Sequence, residues 1–85
     1  MITVYVLQGG EKRYVGITNN LARRLAEHRS GRTKGGQIIK DFFLFYTEQC
    51  PEYVSARKRE KFLKSGAGRE YLDNLKGRSR SASGG

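Results

Sequence analysis

The chain has 85 residues, and its 17 Lys and Arg against 8 Asp and Glu give a net charge of +9. That length allows one domain and leaves no room for a separate recognition domain. The single cysteine, Cys50, excludes an intrachain disulfide, and one Cys with one His cannot build a structural zinc site. No apolar run approaches the ~20 residues of a membrane span, and no secretory signal opens the chain. The expectation is a soluble, basic, intracellular protein without a membrane partner: cytoplasmic, and nucleoid-associated if bacterial. Excess positive charge makes polyanions the leading partner class, nucleic acid first. Composition alone does not separate a binder from an enzyme.

Residues 2–8 alternate, with Ile2, Val4 and Val6 on one face and Thr3, Tyr5 and Leu7 on the other, and read as a strand. Gly9-Gly10 is a turn signal, and strand character resumes from Arg13 to Thr18. A two-residue loop at Gly9-Gly10 sets Gln8 against Glu11 and Tyr5 against Tyr14. A four-residue loop changes the partners but keeps both tyrosines on one face, and a three-residue loop splits them.

Thr18-Asn19-Asn20 supplies N-cap residues for a helix over Leu21 to Arg29, with Gly31 at its C′ position. Leu21 and Leu25 share one face of it, and Arg24 and His28 share the adjoining stripe. Residues 30–37 form a basic, glycine-rich loop. The aromatic run within Ile38 to Thr47 predicts a buried central strand. Pro51 and Gly66 bracket a helix from about Glu52 to Ser65, in which Tyr53, Ala56, Glu60 and Leu63 follow one face. A short last helix spans Gly68 to Lys76. The order β-β-α-β-α-α predicts an α+β (α/β) domain: a small three-stranded antiparallel sheet flanked by helices, over residues 1–76. Residues 77–85 hold only Gly, Arg, Ser and Ala and read as a flexible basic tail.

Several side chains suit chemistry. Two tyrosines facing the same way across a hairpin are often a cross-strand aromatic pair, yet a phenol near cations can serve as an acid or base. Arg24 has a bland reading as a solvated helix arginine. Its functional reading is a phosphate clamp that a lysine would not reproduce. His28, the only histidine, lies one turn from Arg24 and within reach of a nucleophile or phosphate. Glu60 sits among apolar positions, so its carboxylate needs a positive partner: a cation such as Arg57 or Lys64, or a metal. Magnesium takes one or two carboxylates and completes its shell with water and phosphate oxygens, so one glutamate suffices. The glycine pairs match neither a P-loop nor a dinucleotide fingerprint.

Taken together, these residues resemble the GIY-YIG nuclease domain. The first motif stands here as Thr3-Val4-Tyr5 and the second as Tyr14-Val15-Gly16, continued by Thr18, Asn20 and Leu21. Arg24, His28 and Glu60 fall at family positions, and the run from Arg59 to Arg69 is most similar to the small stand-alone bacterial members. The resemblance extends to the N-terminal domain of excision-repair nucleases. Thr3 replaces the glycine of the first motif, and valines replace the isoleucines. Asn74 lies in the region where the family often has an asparagine.

The resemblance implies a metal-dependent endonuclease that hydrolyses phosphodiester bonds, of repair or recombination type, with DNA as the expected substrate. It implies one Mg²⁺ or Mn²⁺ on Glu60, Tyr5 as base with Tyr14 positioning the water (or the reverse), and Arg24 stabilising developing charge. His28 would hydrogen-bond the base tyrosine or the nucleophile. Arg32, Lys34 and Lys40 of the loop, with Arg57 and Lys61, are expected on the phosphate backbone. Specificity would come from DNA shape or from a protein partner or homodimer. Two alternatives stand beside this: a non-catalytic nucleic-acid-binding module that kept the fold, and a basic protein-interaction domain.

Overall fold

A computed structural model describes residues 1–31 and 42–84, with side chains through residue 75. Strand β1 (Ile2–Gly9), strand β2 (Lys12–Thr18), helix α1 (Leu21–Arg29), strand β3 (Phe43–Cys50), helix α2 (Tyr53–Lys64) and helix α3 (Gly66–Gly84) follow in that order. The sheet has the order β2-β1-β3 and is antiparallel throughout, so the domain is α+β as expected. Residues 77–85 were read as a tail, yet α3 carries its backbone helix across Gly77 to Gly84 and starts two residues before the expected Gly68.

The central strand is β1, not the aromatic run that follows the loop. Every residue from Ile2 to Gln8 is buried, because β1 has a partner on each edge and side chains packed over each face. Ile2, Val4 and Val6 join Val15, Cys50, Ala56, Leu63 and Leu72 in one core between the sheet and α2 with α3. Thr3, Tyr5 and Leu7 face the opposite side, toward α1. Strand β3 is an edge strand instead, with Phe43 and Leu44 exposed. The expectation of a buried central strand took aromatic content for burial on two faces; this run pairs with β1 only, through a register shift opposite Val6 and Leu7. Its first residues, 38–41, lie outside the described residues.

The first hairpin turns at Gly10 and Glu11, with Gly9 paired to Lys12 and Gln8 to Arg13. Tyr5 therefore faces Gly16, and Tyr14 faces Leu7. This corrects the direct Tyr5–Tyr14 pairing by two residues and matches the alternative register of a four-residue loop. Gly10 adopts φ +59, a left-handed conformation in which a side chain is strained, and that places the turn one residue later than Gly9-Gly10 suggested. A shift by an even number keeps both tyrosines on the same face.

Helix α1 begins as its caps predict. Asn20 Oδ1 accepts from the Arg23 amide at 3.1 Å, and Thr18 Oγ1 accepts from the Asn20 amide at 3.0 Å. Past the end of the helix, Gly31 turns the chain at φ +75. Helices α2 and α3 meet across Ser65, whose hydroxyl oxygen accepts from the Gly68 amide at 3.2 Å. Gly68 is buried against the backbone of Phe62 and Leu63, where a Cβ would overlap both residues. Glu48 on β3 receives both Nε and a terminal nitrogen of Arg59 from α2, at 2.6 and 3.0 Å, tying that strand to the helix.

Candidate active site

The face of β1 opposite the main core carries a cluster of polar aromatic groups. Tyr5 is fully buried, and its phenol oxygen lies 2.7 Å from His28 Nε2. The strand period places Tyr5 under the last turn of α1, and the cap at Asn20 fixes the helical phase that turns His28 inward. His28, rather than Leu21 or Leu25, is the buried residue of α1. Tyr14 joins from β2, with its ring centroid 5.1 Å from His28 and 6.3 Å from Tyr5. Phe42 closes one side, edge-on to His28 at 6.2 Å, and Arg29 stacks over Phe42 at 5.2 Å.

Gly16 has a definite reason to be glycine. A Cβ there would stand 2.5 Å from Tyr5 Oη and 2.6 Å from Cζ. The second motif thus leaves room for the tyrosine of the first, and the phenol can extend over β2 toward α1.

Arg24 lies one helical turn before His28. Its guanidinium interacts with the Tyr5 phenol and donates to Glu27 at 3.3 Å. Its Nε is buried and, among the described residues, has no hydrogen-bond partner. A buried donor left unpaired costs about 1–3 kcal/mol. The side chain as a whole is 37% exposed, which keeps the guanidinium within reach of solvent.

The electrostatics follow from this packing. Burial pushes the Tyr5 phenol up from 10.0 to about 12, with the neighbouring Arg24 guanidinium pulling the other way. Burial, aided by the Arg24 charge, holds His28 below the ordinary 6.5, so the imidazole is neutral at pH 7. A neutral imidazole pairs with a neutral phenol through one proton, with the donor set by the tautomer.

Glu60 stands on α2 with its side chain 25% exposed. Lys64, one of its two expected protein partners, donates to its Oε2 at 3.1 Å. Among the described residues no hydrogen bond links Glu60 to the tyrosine–histidine cluster, and no group of three or more His, Cys, Asp or Glu side chains converges on one point. The donor set therefore fits a metal held by one carboxylate, water and substrate oxygens, and does not fit a closed protein cage. Arg57 and Lys61 are exposed on α2, and Asn74 is exposed on α3. Arg32, Lys34 and Lys40 lie outside the described residues. Glu27 and Phe42 were missed from the sequence. The i,i+3 spacing of Arg24 and Glu27 was a usable signal, whereas nothing local connects Phe42 to His28.

A buried tyrosine–histidine pair, a second tyrosine and an arginine whose Nε has no partner among the described residues lie together on a three-stranded α+β scaffold. A model of the GIY-YIG catalytic domain matches residues 1–71, and the chain belongs to that family of nuclease domains. UPF0213 protein DP2720 of Desulfotalea psychrophila is 38% identical over 65 residues, covering 72% of this chain and 58% of that protein. The chain thus spans little more than half the length of that relative. The solution NMR structure of UPF0213 protein BH0048 from Bacillus halodurans is 32% identical with a TM-score of 0.54, covering 91% of this chain and 87% of that one. The family is one of nuclease domains, which act on nucleic acids, and its nucleases generally use divalent metal ions. Among the described residues, no helix is long and apolar enough to cross a membrane.

Proposed function

We propose that this chain is a divalent-metal-dependent endonuclease that hydrolyses phosphodiester bonds, with DNA as its substrate. The observation that carries the reading is the buried Nε of Arg24, without a partner among the described residues, beside the tyrosine–histidine cluster. A phosphate oxygen supplies the missing acceptor, and a guanidinium so placed stabilises charge that grows on the phosphoryl group as water attacks phosphorus and the 3′ oxygen leaves.

The burial of the two tyrosines divides their roles. Tyr5 is enclosed and bonded to His28, with its pKa pushed up to about 12, so it is poorly suited to take a proton from free water. Tyr14 is only half-buried, so we assign it the contact with the attacking water. The neutral His28 and Tyr5 hold a fixed hydrogen bond behind it and keep Tyr14 and Arg24 in place. This exchanges the roles first given to Tyr5 and Tyr14.

Glu60 would hold one Mg²⁺ or Mn²⁺, giving up Lys64 as its counter-ion. When bound, the ion supplies Lewis-acid stabilisation of the phosphoryl and leaving oxygens. Arg57 and Lys61, exposed on α2, suit the phosphate backbone, and so do Arg32, Lys34 and Lys40 of the loop; Asn74 has the weakest claim to a role. Specificity comes from DNA shape or from a partner. We place the working unit within residues 1–76 and assign residues 77–85 no part in the chemistry.

The test is a panel of labelled hairpin, flap, junction and single-stranded substrates, as DNA and as RNA, in Mg²⁺ or Mn²⁺. Cleavage of at least one DNA structure that is lost in both Glu60→Gln and Arg24→Ala supports the reading. A pure preparation that cuts nothing in any divalent metal overturns it. The Glu60–Lys64 ion pair favours one second reading, a binding module whose glutamate is already neutralised. Absence of Mn²⁺ at Glu60 in soaked crystals decides for that module.

A further inference from the structure

A cleft of about 860 Å³ runs along β2, on an edge of the sheet that has no partner strand among the described residues. One wall runs from Glu11 through Val15, and the other is the end of α2 and the start of α3, with Lys64, Arg69 and Asp73. The cations of this cleft are not equivalent. Arg13 is engaged three ways: by Asp73 at 3.0 Å, by Gln8 at 2.8 Å, and over the Phe45 ring at 5.4 Å. Lys64 is held by Glu60. Lys12 and Arg69 are both exposed and, among the described residues, have no ion-pair partner. Both line the cleft together with Glu11, an exposed acid that also lacks an ion-pair partner among the described residues, so the unpaired groups of the cleft carry a net positive charge.

Tyr14 belongs to both places. It lines the cleft, and its ring meets His28 of the polar aromatic cluster. A chain lying in the cleft therefore passes beside the residue assigned above to the attacking water. We infer that the cleft between β2 and the α2–α3 corner is a binding track for the phosphodiester backbone of a nucleic-acid strand, with Lys12 and Arg69 as its phosphate anchors. This rests on the nuclease reading and adds to it the path by which a strand approaches Tyr14. The edge of β2 suits such a ligand further, since main-chain donors there are not used by a neighbouring strand. Arg13 and Asp73 neutralise each other and shape the floor without adding to the field. The anchors position the backbone and do not read bases.

The experiment measures binding of a fluorescent oligonucleotide by anisotropy, in EDTA so that no cleavage intervenes, across a salt series. Lys12→Ala with Arg69→Ala is compared with the wild type and with Arg57→Ala/Lys61→Ala, and thermal melting checks each fold. The expected result is an affinity loss of about tenfold or more near 0.1 M salt, with the slope of log K against log salt shallower by about 2. Amide shifts on titration should cluster at residues 11–15 and 64–69 in the wild type. Unchanged affinity and slope in the folded double variant overturn the inference, and so do shifts confined to α1. Tighter binding of poly-aspartate than of the oligonucleotide also overturns it, because the cleft would then be an acidic-peptide site. A wild type that binds in this way but cuts no substrate in metal refutes the nuclease reading and leaves the track standing.

Discussion

Gly16 and Tyr5 are directly paired across the β1–β2 ladder, and the phenol occupies the space that a side chain at position 16 would need. Gly16→Ala must push the ring away, since neither the β2 backbone nor the fully buried tyrosine has free volume to give. The expected cost is about 1–3 kcal/mol of stability, read as a lower melting temperature. The same change should break the Tyr5–His28 hydrogen bond, read as a shift of the His28 imidazole resonances. Normal melting with unshifted resonances would show that the space is not needed.

His28 makes stability depend on pH in one direction. Its folded pKa lies below the unfolded value of 6.5, so the unfolded chain binds the proton more readily. Stability is complete above about 6.5, declines as pH falls from there to the folded pKa, and levels off below it. Melting measured from pH 8 to pH 5 should show that decline, and His28→Gln should flatten it.

Tyr5 works at the other end of the scale. Its folded pKa of about 12 lies above its ordinary 10.0, so its contribution is complete below 10.0 and is lost as pH rises toward 12. Titration of tyrosinate absorbance should show fewer late-ionising phenols in Tyr5→Phe than in the wild type.

Arg24 should separate activity from stability. Its Nε is buried without a partner among the described residues, so Arg24→Met removes an unanswered donor while keeping the aliphatic packing. Melting should stay within a few tenths of a kcal/mol of the wild type or rise, and cleavage should fall by about 10²-fold or more. Equal loss of both would make the arginine structural.

Gly68 sets how closely α3 approaches α2. Gly68→Ala places a methyl group against the Phe62 carbonyl and the Leu63 backbone, neither of which can rotate away. It should lower stability by about 1–3 kcal/mol, whereas Gly66→Ala, with open space at its Cβ, should not. Denaturant unfolding of the two variants decides this.

Much of this molecule is legible in short-range sequence. The strand alternation from Ile2, the Asn20 cap, the Gly31 terminator and the Pro51–Gly66 bracket are local signals, and they set β1, α1 and α2 to within a residue or two of where they lie. The common face of Tyr5 and Tyr14 was legible too, since it depends only on the parity of the loop. Net charge and the ordered set of Tyr5, Tyr14, Arg24, His28 and Glu60 were enough to identify a nuclease domain.

Other features required the folded chain. The position of the turn within Gly9–Lys12 depends on which residue takes the left-handed conformation, and both candidates were glycine. Whether an aromatic run is central or at an edge depends on partners far away in sequence, so β3 was misplaced and β1 was not seen as the buried strand. The burial of His28, the unanswered Nε of Arg24 and the cleft that joins Tyr14 to Lys12 and Arg69 are relations between elements that no periodicity encodes. The sequence determined which chemical groups the protein carries and which face of each element bears them. Packing alone decided which groups lie within hydrogen-bonding reach, because the desolvation and distance that tune a tyrosine, a histidine and an arginine exist only once the sheet and its helices have closed around them.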